Sequence, residues 1–145
     1  NGVSFLPPPN RFEAGTPAIA EVIGLGAALD YISALGHEEI QLHEKAIMKR
    51  AEEALAQIPG IRRVGIARER SHVISFLIEG SHPSDVGAIL DEQGVAVRAG
   101  HHCCQPLMRR YGIPGTVRAS FSIYTNEEDV DRFAAAVRKA KELLI

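Results

Sequence analysis

Cys103 lies in the run Arg98-Ala99-Gly100-His101-His102-Cys103-Cys104-Gln105-Pro106, where an arginine, a glycine and two imidazoles crowd a thiol. A packing core would surround a cysteine with aliphatic side chains. A thiol reacts as its thiolate, and neighbouring cationic or hydrogen-bonding groups favour that form. The run therefore points to nucleophilic sulfur chemistry. Taken alone, the same residue types also allow a solvated loop with chance polar residues, and a metal site. Spacing weakens the metal reading, because the consecutive residues His101 to Cys104 point in diverging directions, whereas structural zinc sites separate their ligands in pairs. The remaining histidines, His37, His43, His72 and His82, are scattered over segments that read as helix, turn and loop, and each is expected at the surface. No metal is expected. Two cysteines in 145 residues fall far short of a disulfide framework, and a vicinal Cys103–Cys104 bridge would close a small strained ring. Reduced thiols and a cytoplasmic location are the expectation.

Several elements must cooperate to present that run. Residues 1–16 read as extended, since Pro7-Pro8-Pro9 removes backbone donors and fixes φ. Thr16 is placed as an N-cap with Pro17 at the first helical position, and a helix follows to Leu35, ended by Gly36. Its apolar residues, Ile19, Val22, Ile23, Ala27, Leu29 and Ile32, occupy much of the circumference, so burial on more than one side is expected. Gly24-Leu25-Gly26 lies inside this helical pattern and follows no strand, which favours close helix packing over a dinucleotide site. A second helix spans about Glu38 to Ile58 and stops at Pro59-Gly60. Ile61–Ala67 and His72–Ile78 then form a hairpin around Arg68-Glu69-Arg70-Ser71.

The segment Ser81 to Asp85 opens a third helix that closes at Gly94, and Val95–Arg98 reads as a short strand delivering the glycine and histidines to a loop. One helical turn is expected over Pro106–Tyr111 and a strand over Val117–Ile123, with Arg118 and Ser120 opposite Val117, Ala119 and Phe121. Asn126 and Asp129 form a capping arrangement for a last amphipathic helix bearing Val130, Phe133, Val137 and Leu144. The order ααββαβ(α)βα implies an α+β fold, a small, mostly antiparallel sheet covered by helices on one face.

Composition agrees with one globular core: 46% of residues are hydrophobic and 23% charged, with a formal charge of −2. Dispersed basic residues and that slight negative balance argue against nucleic acid as a partner. No apolar run approaches the roughly 20 residues of a membrane helix, and no basic-then-apolar leader pattern opens the chain. The chain starts at Asn1 without an initiator methionine, and a fragment of something longer is the expectation.

The run Arg98 to Cys103 resembles the R-x-G-H-H-C loop of the SufS-like, or group II, cysteine desulfurases and selenocysteine lyases. These are pyridoxal-phosphate enzymes of the class V aminotransferase fold. Arg11-Phe12-Glu13-Ala14-Gly15-Thr16-Pro17, followed by Ile23-Gly24-Leu25-Gly26-Ala27-Ala28, is similar to the family segment leading from the large cofactor domain into the small one. Val117-Arg118-Ala119-Ser120 is similar to the strand that carries the substrate-binding arginine. The blocks occur in family order over almost the whole chain.

The resemblance implies an extended segment from the large domain over 1–16, an inter-domain helix over 17–35 and a small C-terminal domain over 36–145. It implies that Cys103 takes sulfur from L-cysteine as a persulfide, releasing alanine, in supply of iron–sulfur cluster assembly. Arg118, assisted by Arg98, would hold the substrate carboxylate, which a planar two-pronged donor suits. His101 and His102 would handle or orient a proton. Gly15 and Thr16 would reach the cofactor phosphate of the opposite subunit, implying a homodimer, and a sulfur-acceptor protein is the implied partner. The lysine that binds the cofactor belongs to the large domain, and no lysine here matches it, so the isolated chain is expected to be inactive. Cys104 departs from the family, which more often has a small residue there; inertness, a backup acceptor and an oxidation liability all remain open. Selenocysteine lyase chemistry and a non-catalytic persulfide-relay or binding module are the alternative functions.

Overall fold

The computed structural model describes residues 2–145; Asn1, the first residue of the expected extended segment, lies outside them. The chain divides into two compact units, Asn1–Glu39 and Ile40–Ile145. In the first, a single 3-10 turn at Asn10–Phe12 interrupts the otherwise irregular segment. Helix α1 then spans Ile19–Leu35. Thr16 does not cap it: the N-cap is Ala18, without a side-chain bond, because the amide of Ile19 is already turned onto the carbonyl of Pro17 at 2.8 Å. Gly36 ends the helix at φ 85°, as its position suggested. The expected burial of α1 does not occur. None of its residues is buried, and Ile23 is 69% exposed, since this unit offers only a turn and irregular chain to pack against.

Helix α2, His37–Ala56, begins in the first unit and runs into the second. The second unit continues with β1 (Ile61–Val64), β2 (Val73–Ile78), α3 (Pro83–Glu92), β3 (Arg98–Gly100), α4 (Gln105–Tyr111), β4 (Thr116–Ser120) and α5 (Glu127–Leu144). The strands form one antiparallel sheet in the order β1-β2-β4-β3. Alternation along β2 and β4 sends Ile74, Phe76, Ile78, Val117 and Ala119 to one face. There they meet Ile47, Ala51 and Leu55 of α2, Val86 and Leu90 of α3, and Val130, Phe133 and Val137 of α5. Phe133 packs edge-on against both Phe76 and Phe121, at 5.8 and 6.0 Å between ring centres. Both oxygens of Asp131 accept from Arg50 at 3.0 Å, tying α5 to α2. The Asn126–Asp129 capping box is present in full.

Several boundaries differ from expectation. The segment Val95–Val97 is not a strand, because its valines pack against the core and pairing with β4 begins only at Arg98. The hairpin connection spans residues 65–72 rather than the tetrapeptide Arg68–Ser71, and Gly65 leaves β1 at φ 85°. β4 stops at Ser120. Helix α4 has seven residues, more than one turn. Three of the scattered histidines have structural partners: His82 caps α3 by accepting from the Ser84 amide, His72 pairs with Glu44, and His43 donates to the Thr125 carbonyl. Among the described residues no single helix is long and apolar enough to cross a membrane.

Candidate active site

The solvent-side face of the sheet carries the site. Strand register aligns Val64, Ser75, Arg118 and Arg98 in one row across β1, β2, β4 and β3. Arg98 and Arg118 are thus direct cross-strand partners. Like charges at opposed positions cost stability, so the pair makes physical sense as a receptor for an anion. Gly100 faces Thr116 in the same ladder. An ideal Cβ on Gly115 would stand 2.6 Å from the carbonyl carbon and oxygen of Gly100, so the chain entering β4 presses on the chain leaving β3.

The turn that follows β3 is tight and strained. His102 and Cys103 both adopt left-handed φ values, 53° and 59°. Each such residue with a Cβ costs about 1–2 kcal/mol. The turn closes through the Cys104 amide, which donates to the His101 carbonyl at 2.9 Å, and through the Cys103 amide, which donates to His101 Nδ1 at 3.2 Å. Helix α4 starts at once, with Cys104 as its N-cap. Cys103 is consequently exposed, with its Sγ 3.8 Å from Nη2 of Arg98. The guanidinium donates to that sulfur from the side of the strand.

His102 points the other way, into the sheet. Its Nε2 lies 3.1 Å from the Thr116 carbonyl and 2.9 Å from Thr116 Oγ1. Because a carbonyl only accepts, Nε2 carries the proton and Nδ1 is a bare acceptor. Burial pushes the imidazole below its ordinary value; the Thr116 carbonyl opposes this, and the charges of Arg118, Arg98 and His101 add to the lowering. His102 is therefore neutral at pH 7. Two side-chain atoms at this face are buried without a partner, Nδ1 of His102 and Nε of Arg118. Each unmet polar atom costs roughly 1–3 kcal/mol. A ligand that accepts at Arg118 and donates at His102 would satisfy both.

A cleft of about 300 Å³ lies here, lined by Ser75, His102, Cys104, Thr116 and Arg118, with Leu107, Met108 and Tyr111 of α4 on its apolar side. The turn thus brings together Arg98, His101, His102 and Cys103, and the sheet adds Arg118. Thr116, Ser75 and Gly115 were not singled out from sequence. Their part depends on strand register, for which the chain carries no local signal. Among the described residues no cluster of three or more metal-ligating side chains occurs.

Gly15 and Thr16 belong to the first unit. They line a separate hollow of about 680 Å³ with Asn10, Glu13 and Ala18 at the start of α1, and Gly15 takes φ 84°. A helix start with a free threonine hydroxyl nearby suits a phosphate group, so these residues fit the anionic end of pyridoxal phosphate. No lysine lines this hollow or the cleft.

Comparison with known proteins places this geometry in context. Residues 1–133 match the model of the family described as Aminotransferase class-V. A cysteine desulfurase of Pectobacterium carotovorum is 48% identical over 143 residues, which is 99% of this chain and 35% of that protein. The apo cysteine desulfurase of Thermococcus onnurineus superposes with a TM-score of 0.87 at 41% identity, covering 99% of this chain and 36% of the other. The S-sulfonic acid form of the cysteine desulfurase CsdA from Escherichia coli gives a TM-score of 0.87 at 39% identity, over all of this chain and 37% of that one. The chain spans about a third of the length of the relatives it matches.

Proposed function

This chain belongs to the class-V aminotransferase family, and from that membership we propose that it is the sulfur-accepting part of a pyridoxal-phosphate-dependent cysteine desulfurase. The observation that carries the reading is the shared face: Arg98 is both the cross-strand partner of Arg118 and a donor to the Cys103 sulfur, at 3.8 Å. A carboxylate anchor and a nucleophilic thiol therefore stand side by side. The amino acid would be held through its carboxylate by Arg118, whose unpartnered Nε completes a two-pronged donor, with Arg98 adding charge. The Cys103 thiolate attacks the substrate sulfur, forming a sulfur–sulfur bond as the carbon–sulfur bond breaks, and alanine leaves after protonation. Pyridoxal phosphate, when bound, supplies the electron sink that makes this bond labile. Gly15 and Thr16 would hold its phosphate across a homodimer. His102, neutral and anchored on Thr116, fixes the turn, while exposed His101 accepts from the Cys103 amide through Nδ1.

The sulfur would pass to an acceptor protein for iron–sulfur cluster assembly; the exposure of Cys103 on a tight turn suits such a handover, and two free thiols suit a reducing cytoplasm. The test uses a protein of the relatives' full length that carries this chain, supplied with pyridoxal phosphate and L-cysteine. Cys103→Ser should abolish protein-bound persulfide while cofactor absorbance is kept. Arg118→Ala should raise KM by about 10- to 100-fold, as expected for losing a charged hydrogen bond. Undiminished alanine release from Cys103→Ser would overturn the reading.

A further inference from the structure

We propose that Ser75 is a substrate-binding residue, whose hydroxyl donates to the same carboxylate that Arg118 holds. The inference rests on the desulfurase reading for the identity of the amino acid, and adds a residue to which that reading gives no task.

Strand β2 reads Val73-Ile74-Ser75-Phe76-Leu77-Ile78, and Ser75 is its only polar side chain. Alternation with a period of two sends Ile74, Phe76 and Ile78 into the core, so Ser75 points to the opposite face, where Arg118 also points. There it stands half-buried, flanked along the strand by apolar Val73 and Leu77. A hydroxyl drawn out of water in such a setting costs free energy until it finds a partner. Its row does not supply one. Val64, across β1, has an apolar side chain, and Arg118, across β4, holds an Nε that is buried and itself unpartnered. Direct cross-strand partners of this kind carry their Cβ atoms about 4.5–5.5 Å apart. Two neighbouring donors therefore open on one cleft. What both lack is an acceptor.

A carboxylate meets that need, because its two oxygens offer enough lone pairs to take a guanidinium and still accept from a hydroxyl. Arg98 is less well placed to be this second donor, since its Nη2 is turned toward the Cys103 sulfur at 3.8 Å. It also lies on the far side of Arg118 from Ser75. The row thus gives the bound amino acid a direction. Its carboxylate lies at the Ser75–Arg118 end, inside the cleft that both residues line, and its sulfur extends toward the Arg98 end, where Cys103 stands. Adjacent strands are about 4.8 Å apart, a step that a short amino acid can span.

The test uses a protein of the relatives' full length that carries this chain. With pyridoxal phosphate and L-cysteine, Ser75→Ala should raise KM about tenfold, as for one lost hydrogen bond to a charged group, while kcat changes by less than about twofold. Ser75→Thr keeps a hydroxyl on a side chain that suits a strand, and its KM should stay near the wild-type value. Calorimetry with sodium propionate, a carboxylate bearing neither amine nor sulfur, reads the same contact without turnover. Its Kd should rise about tenfold in Ser75→Ala and recover in Ser75→Thr. Far-ultraviolet circular dichroism of both variants guards against a folding artefact. Unchanged KM and Kd in Ser75→Ala, a fall in kcat at constant KM, or a Ser75→Thr protein as weak as Ser75→Ala would overturn the assignment. A wild type that binds propionate more tightly than Ser75→Ala yet releases no alanine from L-cysteine would support the role of Ser75 while sinking the desulfurase reading.

Discussion

His102 shows how one side chain can hold a turn in place from the sheet beneath it. Its ring is fixed by Thr116, its Nδ1 is buried without a partner, and burial with three nearby cationic or titratable groups, Arg118, Arg98 and His101, holds it below the ordinary imidazole value of 6.5. A histidine whose value is lowered by folding binds fewer protons in the native state than in the unfolded one. Its contribution is present above pH 6.5 and is lost as pH falls through the native value. Melting temperature should therefore decline between pH 8 and pH 5, and this decline should be shallower in His102→Asn. Identical slopes in the two proteins would show that the imidazole is not the group responsible. The same acidification should loosen the turn that presents Cys103, since a charged His102 faces two guanidiniums.

At the scale of elements, the contact between the two strand ends decides where the nucleophile stands. Gly115 is buried, and the atoms its missing Cβ would meet belong to the backbone of Gly100, which cannot swing aside as a flexible side chain would. Gly115→Ala should destabilise the protein by about 1–3 kcal/mol, the usual cost of overpacking. It should also change the alkylation rate of Cys103, because β3 and its turn must move away from β4. Superimposable denaturation curves and equal alkylation rates would refute this. The strand pair was only half legible beforehand. Arg118 and its alternation with Val117 and Ala119 could be read from the period of two, but the start of β3 could not. Val95, Ala96 and Val97 have strand composition, yet packing against the core claims the two valines, and pairing is delayed to Arg98.

The molecule as a whole presents a core-bearing unit and a first unit whose helix buries nothing. Among the residues of α1, Val22, Ile23 and Leu29 are all more than half exposed. The chain covers 35% of a relative with which it shares 48% identity. Neither hollow contains a lysine to bind pyridoxal phosphate. The 145-residue chain by itself, mixed with pyridoxal phosphate and L-cysteine, should therefore release neither sulfide nor alanine above the rate of free cofactor; sustained turnover would disprove this. From its sequence alone the chain determined its element order, its capping box, the α+β class and the motif around Cys103, because these follow from local periodicity, turn chemistry and residue type. Tertiary structure decided which groups meet: Arg98 opposite Arg118, His102 on Thr116, Gly115 against Gly100, and two adjacent thiols facing opposite ways. Those juxtapositions depend on strand register and on a left-handed turn, which long-range packing fixes and no short stretch of residues encodes.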